Sequence, residues 1–337
     1  MSNCCTAPVS PPRQPRAGSE AQQRSDRVTT WPLGGQTGHH HRPVSARVPR
    51  IGVIGLGRMG QPICARLAGA GLEVLATDVR PALRVAATGA GAAWIDDAAE
   101  LARQVDVLVS VLPGSTEVES VIGSVAGCSA LWVEMSAAAP RVASEIAARG
   151  IRALDAPVAG GPEAARAGTL TSFVGGREDD LAVARPALEL LARRIVHVGP
   201  RGAGYTAKLL ANSLWFTQAV AVAEALAVAS RSGLDPERVR AALEHSAAAG
   251  SFIERDAPAL LAGDDLTSFA LRLCCDQLDA LLALAEDLSV PARVLGEVAA
   301  THRRALDRYG DVDGELLGAR LVLEESGVAP LQRDESS

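Results

Sequence analysis

Apolar and polar positions change rhythm twice along the chain. Residues 1–49 have no period: Pro, Arg, Gln, Ser and Gly follow one another with no apolar face to bury. Such a stretch cannot offset its ordering entropy and reads as a disordered tail. From Ile51, short apolar runs alternate with amphipathic ones. Ile51–Gly55, Leu72–Thr77, Ala92–Ile95, Asp106–Leu112, Ala130–Met135, Ile151–Asp155, Thr171–Val174 and Ile195–Val198 read as strands. Gln61–Ala70, Pro81–Thr88, Asp97–Gln104 with Asp96 as its cap, Ser115–Ile122, Pro140–Arg149 and Asp179–Arg194, interrupted near Pro186, read as helices. This alternation predicts a parallel sheet with right-handed crossovers.

After Gly202 the rhythm is helical throughout. From Tyr205 to Ser232 there is neither Pro nor Gly, and no charge lies between Lys208 and Glu224. One long helix is expected there, buried over most of its surface. Its apolar run falls short of the ~18 residues of a membrane span. Further helices follow over Pro236–His245 behind the cap Asp235, Phe252–Leu261 bent at Pro258, Phe269–Leu288, Pro291–Tyr309 and Gly314–Glu325. The expected division is a tail at 1–49, an α/β parallel-sheet domain at 50–201, an all-α domain at 202–328 and a second disordered tail at 329–337. An all-α domain built on one apolar helix borrows surface from a second subunit, so a homodimer or homotetramer is expected.

Charge and cysteine usage narrow the partners. The net charge is −6; the first fifty residues carry +5, which leaves −11 on the remainder. An acidic body argues against nucleic acid as the partner. Among the six cysteines, Cys4 and Cys5 are adjacent, as are Cys274 and Cys275, which suits neither a disulfide framework nor zinc spacing. There is no HExxH, His39–His41 lie in the aperiodic tail, and no secretory segment is recognisable. The expectation is a reduced, cytoplasmic protein with no metal, no membrane and a small-molecule substrate.

Between the first strand and the first helix stand Gly55-Leu56-Gly57-Arg58-Met59-Gly60. Glycines at this spacing make a tight turn, admit a pyrophosphate to the backbone and let the helix pack on the strand. The helix start then offers N–H groups to phosphate. Asp78 closes the second strand, where a carboxylate binds ribose hydroxyls. A dinucleotide-binding (Rossmann) domain is expected, with NAD preferred and NADP possible through Arg80 and Arg84. Leu112, Pro113 and Ser136 follow strand ends and should border the cofactor. Gly160-Gly161 make either a ligand-facing backbone or a plain turn.

Lys208 is the only lysine; every other basic residue is arginine. An ammonium loses its proton near neutrality when buried, and a guanidinium does not. A lone lysine in an apolar helix therefore points to proton transfer. Asn212 lies one turn later on the same face.

Three stretches together resemble the β-hydroxyacid dehydrogenase family over about residues 50–325. They are Ile51–Pro62 (IGVIGLGRMGQP), Leu154–Gly176 (LDAPVAGGPEAARAGTLTSFVGG) and Gly202–Asn212 (GAGYTAKLLAN). The resemblance implies a Rossmann domain, a long connecting helix and an all-α domain. It also implies hydride transfer between NAD(P) and a 3-hydroxy acid or its carbonyl form. On the matching motifs Lys208 is the catalytic lysine, Asn212 its substrate-positioning neighbour, and Gly160 and Gly161 touch substrate. The family's usual serine is here Ala159, its second lysine is Asp276, and its Ser-Thr pair reads Ser136-Ala137. The pocket thus loses a hydroxyl and exchanges a cation for an acid, so the chemistry carries over better than the usual substrate. The alternatives are an imine or amine reductase, with Asp276 pairing a substrate cation, and a non-catalytic dinucleotide-binding protein.

Overall fold

The computed structural model describes residues 49–329; the expected tails, save Pro49 and Ala329, lie outside the described residues. The first strands and helices are β1 (Ile51–Ile54), α1 (Gly60–Gly69), β2 (Val74–Thr77), α2 (Arg84–Gly89), β3 (Ala93–Trp94) and α3 (Ala98–Arg103). There follow β4 (Val107–Ser110), α4 (Ser115–Val125), β5 (Leu131–Glu134), α5 (Pro140–Ala148), β6 (Ala153–Asp155), β7 (Val158–Ala159), α6 (Gly161–Ala167), β8 (Leu170–Gly175), α7 (Glu178–Leu191) and β9 (Ala192–Gly199).

The sheet runs β3-β2-β1-β4-β5-β6-β8-β7, with β9 on β8. From β3 to β6 every pairing is parallel; Ile51 registers with Val74 on one side and Val107 on the other. All four residues of β1, β2, β4 and β5 are buried, as parallel strands covered on both faces require. Alternate residues feed two layers. Ile51, Val53, Val107, Val109, Leu131 and Val133 pack under α1 and α7, and Ile54, Leu108 and Trp132 pack on the other face. The far edge departs from the expected parallel order: β8 pairs antiparallel with β6 and β7. The residues between β6 and β8 are spent on β7 and α6, which leaves no length for a full crossover.

Two local expectations also change. Asp97, not Asp96, caps α3 by accepting the Glu100 N–H; Asp96 instead accepts from the Trp94 indole. Helix α7 runs unbroken through Pro186, which faces solvent, the side on which a carbonyl freed by proline is open to hydration.

The second half is helical: α8 (Ala203–Arg231), α9 (Pro236–Leu243), α10 (Ala257–Ala262), α11 (Leu271–Asp287), α12 (Arg293–Tyr309) and α13 (Leu317–Glu325). A single π-helical turn at Phe252–Asp256 precedes α10. Asp235 caps α9 as expected, accepting the Glu237 N–H. At ~1.5 Å per residue, the 29 residues of α8 span about 44 Å. Its Ala219, Ala223 and Ala227 pack on Phe252, Leu260, Leu316 and Leu323, while Phe216 and Val220 pack on Cys274, Leu278 and Val298. By length and composition α8 is apolar enough to cross a membrane, contrary to the count made on its uncharged run. Here it is the core of the helical half. Burial is also less complete than expected: Leu210, Leu214 and Val228 stand 47%, 62% and 67% exposed on its outer side.

Candidate active site

Each glycine of the turn after β1 has its own structural reason. Gly55 has φ +91°, and a Cβ there would strike the Val111 carbonyl; a Cβ on Gly60 would strike the Gly55 carbonyl. These two residues let α1 sit against β1. Gly57 differs: the nearest heavy atom to a Cβ would be Arg80 Nη2 at 3.9 Å, so the backbone faces open space. Met59 packs against the sheet core. Arg58 reaches across to the helical half, donating to both oxygens of Asp313 (2.7 and 3.1 Å) and to the Thr267 carbonyl (3.0 Å).

Asp78 closes the cradle. Its Oδ2 accepts the Leu56 N–H at 2.7 Å and its Oδ1 accepts the Arg80 N–H at 2.9 Å. Burial pushes its pKa up, but the bonds from Arg80 and Leu56 outweigh it and the net shift is downward. The residue is therefore an anion at the end of β2. An open glycine backbone at a helix start, beside a strand-end carboxylate, fits a dinucleotide.

The next strand ends are fastened to α8 by a buried network. Ser136 Oγ accepts the Leu112 N–H at 2.8 Å and donates to Glu134. Glu134 also accepts the Tyr205 hydroxyl at 2.7 Å. Asp155, at the end of β6, accepts the N–H groups of Gly202 (2.8 Å), Gly204 (2.8 Å) and Tyr205 (3.2 Å). These bonds set the position and rotation of the first turn of α8, and with them the side chain one turn on, Lys208. The roles of Glu134, Asp155 and Tyr205 are not among the sequence expectations. The available signal was an acid closing each of two otherwise apolar strands, LWVE and ALD.

Burial raises the Glu134 pKa to about 7, against the hydrogen bonds from Ser136 and Tyr205. A carboxyl whose pKa is raised on folding contributes stability that is full below its ordinary value and lost as pH rises through about 7. The melting temperature should fall by a few degrees between about pH 5 and pH 8. In Glu134→Gln that component of the slope should vanish, as read by calorimetry.

Lys208 is half-buried on α8 and, among the described residues, makes no hydrogen bond or ion pair. Burial lowers its pKa to about 8, partly offset by the charge of Glu315. Glu315 accepts from the Ser268 hydroxyl and feels Arg58 of the glycine turn as well as Lys208. One carboxylate thus lies in the field of both the amine and the cofactor loop.

Asn212 donates to Gln277 Oε1 at 2.6 Å, which ties α8 to α11. Beside this bond opens a cleft of about 550 Å³ whose lining includes Pro113, Gly114, Ala137, Leu209, Asp276 and Gln277. The strand end, the neighbour of Lys208 and the acid of α11 therefore meet. Ala159, Gly160 and Gly161 are not in this lining, nor is Lys208 itself. Gly160 (φ +127°) has an internal reason to be glycine, since a Cβ would stand 2.7 Å from Ala164 Cβ; Gly161 meets nothing within 4 Å. Among the described residues no group of His, Cys, Asp and Glu could hold a metal ion.

Comparison with known proteins agrees with this geometry. Residues 50–199 match the family model for the NAD binding domain of 6-phosphogluconate dehydrogenase. Residues 202–317 match that for the NAD-binding region of NADP-dependent 3-hydroxyisobutyrate dehydrogenase. The chain is 40% identical to the 3-hydroxyisobutyrate dehydrogenase of Pseudomonas aeruginosa over 55% of its own length and 66% of that protein's, just under two thirds. It is 32% identical to the 2-(hydroxymethyl)glutarate dehydrogenase of Eubacterium barkeri, over 72% of this chain and 84% of that one. Among solved structures, the Mycobacterium tuberculosis 3-hydroxyisobutyrate dehydrogenase with L-serine superposes with a TM-score of 0.74 at 28% identity, over 82% of this chain and 99% of that one. An imine reductase from Pseudomonas sp. is more distant, with a TM-score of 0.54 at 18% identity over 82% and 100%, and shares the fold alone. With both halves matched in order and a relative aligned over most of its length, the chain belongs to the β-hydroxyacid dehydrogenase family.

Proposed function

We propose that this protein is an NAD(P)-dependent oxidoreductase acting on the hydroxyl group of a small 3-hydroxy acid or related alcohol, and on its carbonyl form in reverse. Gly55–Gly60 and Asp78 hold the dinucleotide, and Leu112, Pro113 and Ser136 border its nicotinamide end. NAD fits the anionic Asp78 better than NADP, whose 2′-phosphate would have to lean on Arg80. When bound, the nicotinamide supplies the hydride acceptor or donor. Lys208 Nζ takes the hydroxyl proton in oxidation and returns it to the carbonyl oxygen in reduction. Asn212, one turn along α8, has one amide N–H on Gln277 Oε1 and keeps the other for that oxygen; Gly160, Gly161 and Ala159 stand outside the cleft beside that bond and are assigned to the substrate by the family motif alone.

The observation that carries this reading is the amine of Lys208, without a hydrogen-bond or ion-pair partner among the described residues and with a pKa that burial lowers to about 8, on a helix pinned to the strand ends beside the glycine turn. Reduction of NAD or NADP by a panel of small hydroxy acids and alcohols tests it. Turnover with at least one member supports the reading. Tight cofactor binding without turnover of any would leave the protein a dinucleotide-binding module.

A homodimer or homotetramer in the cytoplasm completes the proposal. The apolar stripe Leu210, Leu214 and Val228 on α8 is the surface a second copy would cover. A solution mass of two or four chains is expected by sedimentation; a monomer at all concentrations would contradict it.

A further inference from the structure

Among the described residues, the sheet half and the helical half are hydrogen-bonded to each other at two places. One is the start of α8, where Asp155 accepts the N–H groups of Gly202, Gly204 and Tyr205 and Glu134 accepts the Tyr205 hydroxyl. The other is Arg58 of the glycine turn, whose guanidinium donates to both carboxylate oxygens of Asp313 and to the Thr267 carbonyl. No other ion pair among the described residues joins the halves. Two bodies attached at one place can pivot about it, and a second attachment stops the pivot.

The far side of this second attachment moves as one piece. Residues 266–271 and 312–315 pair antiparallel about the bridge between Ala270 and Asp313. The Leu271 N–H donates to the Val312 carbonyl at 2.9 Å, the Gly314 N–H to Phe269 at 2.9 Å and the Glu315 N–H to Leu266 at 3.1 Å. Arg58 takes one acceptor from each segment, Thr267 and Asp313, and so holds both. The near side is fixed as well, because Met59 packs against the sheet core. Both side chains of the pair are half-exposed, where ion pairs are ordinarily weak. A bidentate fork with a third bond to a carbonyl is the geometry in which such a pair counts. Both terminal nitrogens of Arg58 are thereby engaged with the helical half. A pyrophosphate is left to the open backbone of Gly57, the residue before it.

We propose that Arg58 and Asp313 form a catch that closes the helical half over the bound dinucleotide and sets how fast the cofactor leaves. It rests on the glycine turn being the cofactor cradle and gives two side chains of that site a conformational task. A pyrophosphate on the Gly57 backbone lies beside the gap that Arg58 spans. Release requires the pair to part, after which the halves pivot about the start of α8 and the gap widens. Asp313 touches no cofactor in this scheme and acts through Arg58, as a positioning residue. A guanidinium that instead served as a phosphate ligand would give the opposite sign at Asp313. Removing that carboxylate would then free the cation and take away a repelling charge, and the cofactor would stay longer.

The test uses full-length protein loaded with NADH, and with NADPH in a parallel series. Release is followed by cofactor fluorescence in stopped flow after mixing with excess NAD⁺ or NADP⁺. The unaltered protein is compared with Arg58→Ala, Asp313→Ala, the double alanine variant and Asp313→Asn, with melting temperature as the control on folding. Each single variant should release cofactor about three- to tenfold faster, the range open to one well-formed pair near the surface. The double variant should be no faster than either single, because the two side chains make one interaction. Asp313→Asn, which keeps the shape and loses the charge, should match Asp313→Ala. Unchanged or slower release from the Asp313 variants, or single effects that multiply in the double variant, overturns the catch and leaves the dinucleotide cradle standing. Folded, unaltered protein that binds neither cofactor sinks the two together.

Discussion

Lys208→Ala should lower turnover by about 10²–10⁴-fold, the range general acid–base help supplies, while leaving cofactor affinity essentially unchanged. Steady-state rates and calorimetric titration with NAD(H) measure the two quantities separately. The structure gives grounds for expecting a clean result. Lys208 makes no hydrogen bond or ion pair among the described residues, so its removal orphans no partner. The first turn of α8 is held instead by Asp155 and by the Tyr205–Glu134 bond. Removing a half-desolvated amine should leave stability unchanged or slightly raised. Lys208→Arg should be nearly as inactive, because a guanidinium keeps its charge and cannot take up a proton near neutrality.

The second large effect belongs to Gly57. Gly57→Val should fold with an unchanged melting temperature yet bind NAD(H) at least about a hundredfold more weakly. The space beyond its Cα is open, with nothing closer to a Cβ than Arg80 Nη2 at 3.9 Å. That space is where a pyrophosphate must approach the backbone. Gly60→Val should behave differently. Its Cβ would collide with the Gly55 carbonyl, so stability and binding should fall together. Thermal melts beside cofactor titrations separate the two glycines. Equal loss of stability in both variants would count against a cofactor-facing role for Gly57.

How much of this was legible in the sequence depended on the range of each interaction. The glycine turn is a local device, and its spacing alone places α1 against β1. Asp78 was found by its distance along the chain from that turn, although its bond to the Leu56 N–H appears only in three dimensions. Lys208 stood out because the chain uses no other lysine. The network that positions it was invisible for a physical reason. Asp155 meets Gly204 across 49 residues and Glu134 meets Tyr205 across 71, and no periodicity reports contacts between a strand end and a later helix.

Other features needed the assembled fold. Apolar content foretold α8 but not which of its sides would find neighbours, so the outward stripe at Leu214 came as a correction. Gly160 resembled a ligand-facing residue, yet the crowding of Ala164 already requires it. Asn212 resembles a substrate contact, and one of its amide N–H groups is engaged with Gln277 Oε1, which joins α8 to α11. Asp276, found only by counting along α11, does stand in that cleft.

The pH dependence of alcohol oxidation, compared between the unaltered protein and the residual activity of Lys208→Ala, tests the central claim most directly. Because Lys208 must be neutral to accept the proton, and burial sets its pKa to about 8, kcat/KM should rise with pH and level off above about 8. In Lys208→Ala that inflection should be gone. The same inflection persisting in the alanine variant would mean that some other group handles the proton, and the assignment of Lys208 would be wrong.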